Sequence, residues 1–114
     1  MSATIIDGKL IAKALREDIA QEVAALDDKP GLAVILVGED PASQVYVRNK
    51  VKATENCGIK SFEHRLPADC KAADIAAVID KLNSDKDVHG ILMQLPLPEA
   101  LKAYEDDLIQ RIAP

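Results

Sequence analysis

Apolar residues recur every three to four positions near the start of the chain. Between Ile6 and Leu26, the residues Leu10, Ile11, Ala14, Leu15, Ile19 and Val23 fall on one stripe, with Lys13, Arg16, Glu17 and Glu22 mostly opposite. That period predicts an amphipathic helix. Asp7 suits its cap, and Lys29-Pro30-Gly31 breaks the chain after it. The pattern then changes in kind. Leu32-Ala33-Val34-Ile35-Leu36-Val37 is a continuous apolar run bounded by Gly31 and Gly38. It predicts a short strand buried on both faces, as in a parallel sheet.

Helical spacing returns from about Pro41. Asp40 is a possible cap, and Gly58 stands where a helix would end. Ile59 to Leu66 reads as a more polar strand nearer an edge. Lys71 to Asn83 reads as a helix with Ile75, Val78, Ile79 and Leu82 on one face. Val88 to Leu95 is again largely apolar and predicts a third strand. Pro96 and Pro98 end it, because proline cannot extend a central ladder. A last helix is expected over Glu99 to Ile112, with Leu101, Tyr104, Leu108 and Ile112 turned inward. The order α-β-α-β-α-β-α predicts an α/β fold: three layers, α-β-α, around a small, mostly parallel sheet with right-handed crossovers.

Composition narrows the function. The 114 residues suit one domain, with no internal repeat or linker. The formal net charge of −5 disfavours nucleic acid, whose binding rests on cationic patches. An aromatic content of 3% offers no stacking platform for single strands. No apolar run approaches a membrane span, and Met1-Ser2-Ala3-Thr4 does not open a signal peptide. A cytoplasmic protein with a small-molecule ligand is the expectation. Cys57, Cys70, His64 and His89 are not at metal-ligand spacing, so no metal site is expected and both cysteines read as reduced thiols.

In an open α/β sheet, ligands bind beyond the carboxyl ends of the strands. Two features land there. In the run Gly38 to Lys50, the residues Ser43, Tyr46 and Lys50 are spaced i, i+3, i+7, which places them on one stripe of the helix. Helical side chains lean toward the N-terminus, so Lys50 would reach back over Tyr46 toward the crevice. Read alone, this stripe fits a solvated helix face at least as well as a site. The second feature is Gln94-Leu95-Pro96-Leu97-Pro98, at the end of the last strand. Gln94 is the one amide of an apolar strand and needs hydrogen-bond partners there. A bond to loop backbone would suffice, but so would a role in a site. Leu95 and Leu97 beside it could hold a flat ring. A lysine in such a crevice serves as acid or base where desolvation lowers its pKa toward neutral. A neighbouring tyrosine could orient it or stack on an aromatic substrate. The pair Tyr46-x-x-x-Lys50 also suggests short-chain dehydrogenases. Those enzymes need a glycine-rich dinucleotide loop after the first strand, and Gly38-Glu39-Asp40-Pro41-Ala42 is not one.

Both motifs together point elsewhere. Val37-Gly38 followed by Ser43-x-x-Tyr46-Val47-x-x-Lys50-x-Lys52 and Gly58-Ile59 resembles the first signature of the bifunctional methylenetetrahydrofolate dehydrogenase/methenyltetrahydrofolate cyclohydrolase family. Gly90-Ile91-Leu92-Met93-Gln94-Leu95-Pro96-Leu97-Pro98 resembles the second, and Ile6-Asp7-Gly8-Lys9 matches the way the family begins. The resemblance runs nearly the full length of the chain. It implies oxidation of 5,10-methylenetetrahydrofolate to the methenyl form with NADP, then hydrolysis to 10-formyltetrahydrofolate. It implies Lys50 as general acid/base of the hydrolysis, Tyr46 as folate stacker, and Gln94 as hydrogen-bond partner of Lys50. Ser43 would be a supporting polar contact, and Leu95 and Pro96 would line the folate slot. It also implies a homodimeric parent.

Family members are well over twice this length. Beyond the position of Pro114 they carry a Lys-Asp-Val-Asp-Gly-type segment, a Rossmann domain for NADP and a returning helix. Residues 1–114 would then be the folate-binding catalytic domain without its NADP domain, with no cofactor-binding residue of its own. Alone, such a segment is expected to lack dehydrogenase activity and to expose apolar surface that favours self-association. The competing expectation is a non-catalytic α/β binding or interaction module on the same scaffold.

Overall fold

The computed structural model describes residues 4–114. Three parallel strands, β1 (Gly31–Val37), β2 (Lys60–Leu66) and β3 (Gly90–Met93), lie in the order β2-β1-β3. The continuous apolar run thus takes the centre, and the polar strand β2 takes an edge. The register pairs Ile35 with His64 on one side and Met93 on the other. The helices are α1 (Gly8–Ala24), α2 (Pro41–Asn56), α3 (Ala72–Asn83), a 3-10 turn over Glu99–Tyr104, and α4 (Glu105–Arg111).

Local chemistry sets these boundaries. The Asp7 carboxylate accepts from the Lys9 amide at 3.1 Å and from the Leu10 amide at 3.3 Å, which caps α1. At its far end the Lys29 ammonium donates to the carbonyls of Val23, Ala24 and Leu26 at 2.8, 3.3 and 3.1 Å, gathering the last carbonyls of α1 and the turn that follows it. Asp40 caps α2 through the Ala42 amide at 3.2 Å. Gly58 follows α2 at φ 82°. Glycine adopts such a left-handed value at the least cost. At Gly31 the need is steric. A Cβ there would stand 2.0 Å from the Asp87 carbonyl oxygen, so only glycine lets the loop before β3 close on β1. The same junction is held by His89, whose amide donates to the Gly31 carbonyl at 2.8 Å and whose Nδ1 accepts from the Gly31 amide at 3.0 Å.

Alternation along β1 sends its side chains to two unequal cores. Ala33, Ile35 and Val37 pack with Ile75, Ile79, Leu82, Met93, Leu97, Leu101 and Leu108 beneath α3 and α4. Val34 and Leu36 meet only Val47 of α2 as a further buried partner.

Three expectations change. The apolar stripe of α1 buries only Val23, while Leu10, Ile11 and Leu15 are 64%, 58% and 58% exposed. The period is right for a helix, but no element among the described residues covers that face. The protruding helix also explains a radius of gyration of 16.6 Å. A compact chain of this length would have a value of about 13 Å. The last helix divides, because Tyr104 takes φ −101° and ψ 0° where the 3-10 turn meets α4. Those values break the helical phase, so Leu101 and Leu108 are buried while Tyr104 is 48% exposed. Finally, β3 is shorter than Val88 to Leu95, its ladder opening at Gly90 and closing at Met93.

Candidate functional site

The two motifs meet. The amide of Gln94 donates to the Ile35 carbonyl at 2.9 Å, one residue past β3, and so extends the ladder. Strand alternation then turns Gln94 to the same side as Leu92, which packs on the α2 side of the sheet. From α2, Lys50 reaches it, donating from Nζ to Gln94 Oε1 at 2.7 Å. The other half of the amide is also used: Nε2 donates to the Leu95 carbonyl at 2.8 Å. Gln94 is only 8% exposed. Each of these bonds therefore offsets a desolvation cost that would otherwise be unmet. The amide orientation follows from this pattern, since a flipped group would set its NH2 against the lysine.

Tyr46 stands one turn before Lys50 on the same helix and is 56% exposed. Its ring is free to meet a flat ligand. Leu95 and Pro96, at the exposed tip of the loop after β3, present apolar surface beside Gln94, and the Leu95–Pro96 peptide is cis. Leu97 does not join them: at 2% exposure it belongs to the core beneath α3 and α4, so it is no wall for a ring beside Gln94.

Ser43 is 2% exposed, and its hydroxyl donates to Asp40 Oδ2 at 3.2 Å. It reinforces the cap of α2 from the buried stripe that includes Val47. Tyr46 and Lys50 therefore stand on the border of that stripe, and Ser43 stands inside it.

Two hollows flank the carboxyl ends of the strands. One, of 460 Å³, is lined by Gly38, Glu39, Arg65, Leu66, Pro67, Ala68 and Asp69. The other, of 310 Å³, runs from Val37 and Asp40 to Pro96, Pro98 and Lys102. Lys50 and Gln94 line neither of these two hollows; of the pair, Gln94 is buried and Lys50 is exposed on the α2 side.

The other reactive side chains are otherwise engaged. Burial, with the carboxylates of Asp74 and Asp69 adding to it, pushes the Cys70 thiol up from its ordinary pKa, which disfavours a thiolate nucleophile. The Cys57 thiol is buried and donates to the Arg16 carbonyl at 3.6 Å, tying the end of α2 to α1. No group of three or more histidine, cysteine, aspartate or glutamate side chains is placed to hold a metal ion among the described residues. Sequence reasoning missed Glu105, whose carboxylate accepts from the Leu97 amide at 3.0 Å and so braces the loop that carries Gln94.

Comparison with known proteins gives this geometry a context. Residues 6–114 match the model of the family described as tetrahydrofolate dehydrogenase/cyclohydrolase, catalytic domain. The chain is 55% identical to bifunctional protein FolD 2 of Roseobacter denitrificans, aligned over 100% of its own length and 39% of that protein's. It is 53% identical to bifunctional protein FolD of Bordetella avium, over 100% and 40% of the two lengths. Among solved structures it superposes on the Trypanosoma brucei methylenetetrahydrofolate dehydrogenase-cyclohydrolase, complexed with NADP and an inhibitor. The TM-score is 0.91 at 35% identity, covering 100% of this chain and 40% of that one. The Campylobacter jejuni enzyme gives a TM-score of 0.90 at 40% identity, covering 98% and 40%. The chain thus spans about two fifths of the length of the curated relatives it matches. With the family model spanning residues 6–114 and the fold shared with solved members, the chain belongs to the tetrahydrofolate dehydrogenase/cyclohydrolase family, as its catalytic domain.

Proposed function

We propose that this chain is the folate-binding, catalytic part of an enzyme that oxidises 5,10-methylenetetrahydrofolate with NADP and hydrolyses the methenyl product to 10-formyltetrahydrofolate. The observation that carries the reading is the 2.7 Å bond between Lys50 and Gln94 at the carboxyl end of the sheet. In the hydrolysis, water adds to the bridging carbon and the bond from that carbon to one ring nitrogen breaks. Both water protons must leave the attacking oxygen as it becomes the formyl oxygen: one reaches the departing nitrogen, and the other passes to solvent as the methenyl cation loses its charge. Lys50 is the group to move them. Gln94 holds the amine in place through one N–H and leaves its remaining valences for substrate and water. Tyr46 stacks on the folate, and Leu95 and Pro96 line the slot. Ser43 contributes through the Asp40 cap that fixes the start of α2.

NADP does not fit the residues of this chain. A dinucleotide pyrophosphate needs free amides at a glycine-rich helix start. Here Asp40 occupies the start of α2: its Oδ1 takes the Ala42 amide at 3.2 Å and its carbonyl takes the Gln44 amide at 2.9 Å. The carboxylates of Glu39 and Asp40 would also repel phosphate. On our reading the cofactor is bound by the part of the enzyme that this chain does not span, and this segment alone lacks dehydrogenase activity. The same reading makes the parent a cytoplasmic homodimer. No described helix is long and apolar enough to cross a membrane.

The test is Lys50→Ala in the full-length protein that carries this segment. Methenyl hydrolysis should be abolished while NADP affinity is kept. Hydrolysis at the parental rate would remove Lys50 from the role given to it.

A further inference from the structure

The loop from Leu95 to Pro98 carries the Gln94 anchor, yet it has few means of holding its own position. Pro96 and Pro98 have no amide hydrogen. Two amides remain, those of Leu95 and Leu97. Among the described residues, the Leu97 amide alone of the two finds a partner, and that partner is Glu105 Oε1 at 3.0 Å. The carboxylate comes from the first residue of α4, eight residues further along the chain. Hydrogen bonds from neutral amides to an ionised carboxylate are stronger than neutral pairs. This one is half-buried and therefore poorly replaced by water.

We propose that Glu105 is a positioning residue for the Lys50–Gln94 pair. Its carboxylate fixes the Leu97 amide, and the loop so held presents the Leu95 carbonyl. That carbonyl takes one half of the Gln94 amide and leaves Oε1 aimed at Lys50. The catalytic consequence rests on the function proposed above; the structural one does not. Leu97 supplies the second fixed point, since its side chain is locked in the core while its amide is held by Glu105. Both fixed points lie on the α3 and α4 side, across the sheet from Lys50.

The experiment compares Glu105→Ala and Glu105→Gln with the parent. The glutamine keeps a carbonyl oxygen able to accept from Leu97, whereas alanine has none. In NMR spectra of this chain, Glu105→Ala should shift the Gln94 side-chain amide and the Lys50 Cε signals. Glu105→Gln should leave both near their parental positions. In the full-length protein, Glu105→Ala should lower kcat for methenyl hydrolysis about tenfold, the scale of a small misplacement of a reacting group. Glu105→Gln should recover it to within about twofold, and NADP affinity should not change in either. Unmoved Gln94 and Lys50 signals in a folded Glu105→Ala chain would overturn the proposal. Should that variant not fold, amide exchange in the parent decides: Leu97 should exchange far more slowly than Leu95, and equal rates would overturn it. Signals that move while hydrolysis is untouched by both Glu105→Ala and Lys50→Ala would uphold the positioning and overturn the proposed function.

Discussion

The two faces of the sheet are built to different standards. Beneath α3 and α4, ten buried residues from β1, α3, β3 and the segments after it form one core. On the opposite face, Val34, Leu36 and Val47 form a core of three, and α1 leaves most of its apolar stripe in water. Lys50 and Gln94 meet on that thinner side. The result is a division of labour. The thick face holds β1 and β3 in register and fixes where Gln94 emerges. The thin face can keep an amine, an amide and an exposed aromatic ring together without walling them in. Catalytic groups commonly sit where a rigid scaffold ends and access begins.

Leucine truncation on each face is the sharpest way to break this contrast, because the chemistry removed is the same. Leu82→Ala should cost about 3 kcal/mol, within the range for a buried leucine that leaves a cavity. Leu15→Ala, on the exposed stripe of α1, should change stability by less than about 0.5 kcal/mol. Denaturant titration of the two variants checks the difference. Equal losses would mean that the α1 stripe is covered in solution, and the contrast between faces would fail.

A smaller effect concerns the far edge of the thick face. Arg111 forks onto Asp80 through two hydrogen bonds of 2.7 Å each, joining α4 to α3. The Arg111 guanidinium, first by hydrogen bonding and then by its charge, holds the Asp80 carboxyl below its ordinary pKa. A carboxylate depressed on folding contributes its stability above the unfolded pKa and loses it as pH falls through the folded one. Asp80→Asn should therefore cost a little stability at neutral pH and nothing at low pH, where the parent has lost the same contribution, so the acid limb of the variant is shallower. The pair is exposed, so salt should weaken it further. Melting temperatures between pH 2 and 7, for parent and variant, check this. An unchanged acid limb would mean the pair is not formed in solution.

Much of this was legible in the sequence because it depends on local chemistry. The six-residue apolar run announced a central strand, and the prolines marked the end of β3. Asp7, Asp40 and Gly58 marked helix ends for reasons of backbone hydrogen bonding. Lys50 and Gln94 were each readable, topology brought both to one crevice, and the bond between them was what the family resemblance implied. What stayed hidden depends on neighbours. Periodicity gives α1 an apolar stripe but cannot say whether anything lies against it. Ser43 shares a nominal stripe with Tyr46 and Lys50, yet a modest rotation of the helix turns it inward to Asp40. Tyr104 stands three residues after Leu101, but it falls at the break where the 3-10 turn meets α4, and nothing in the spacing announces that break. Glu105 carries no motif at all, and its importance appears only when the Leu97 amide is traced to its partner.

The central claim is that Tyr46, Lys50 and Gln94 face a bound folate. Titrating this chain with a folate analogue, while following the Tyr46 ring, the Gln94 side-chain amide and the backbone amide of Leu95 by NMR, tests it most directly. The account predicts saturable shifts at those three positions, lost in Lys50→Ala or Tyr46→Ala. Shifts confined to Glu99–Arg111, or to the hollow lined by Arg65 and Asp69, would contradict it.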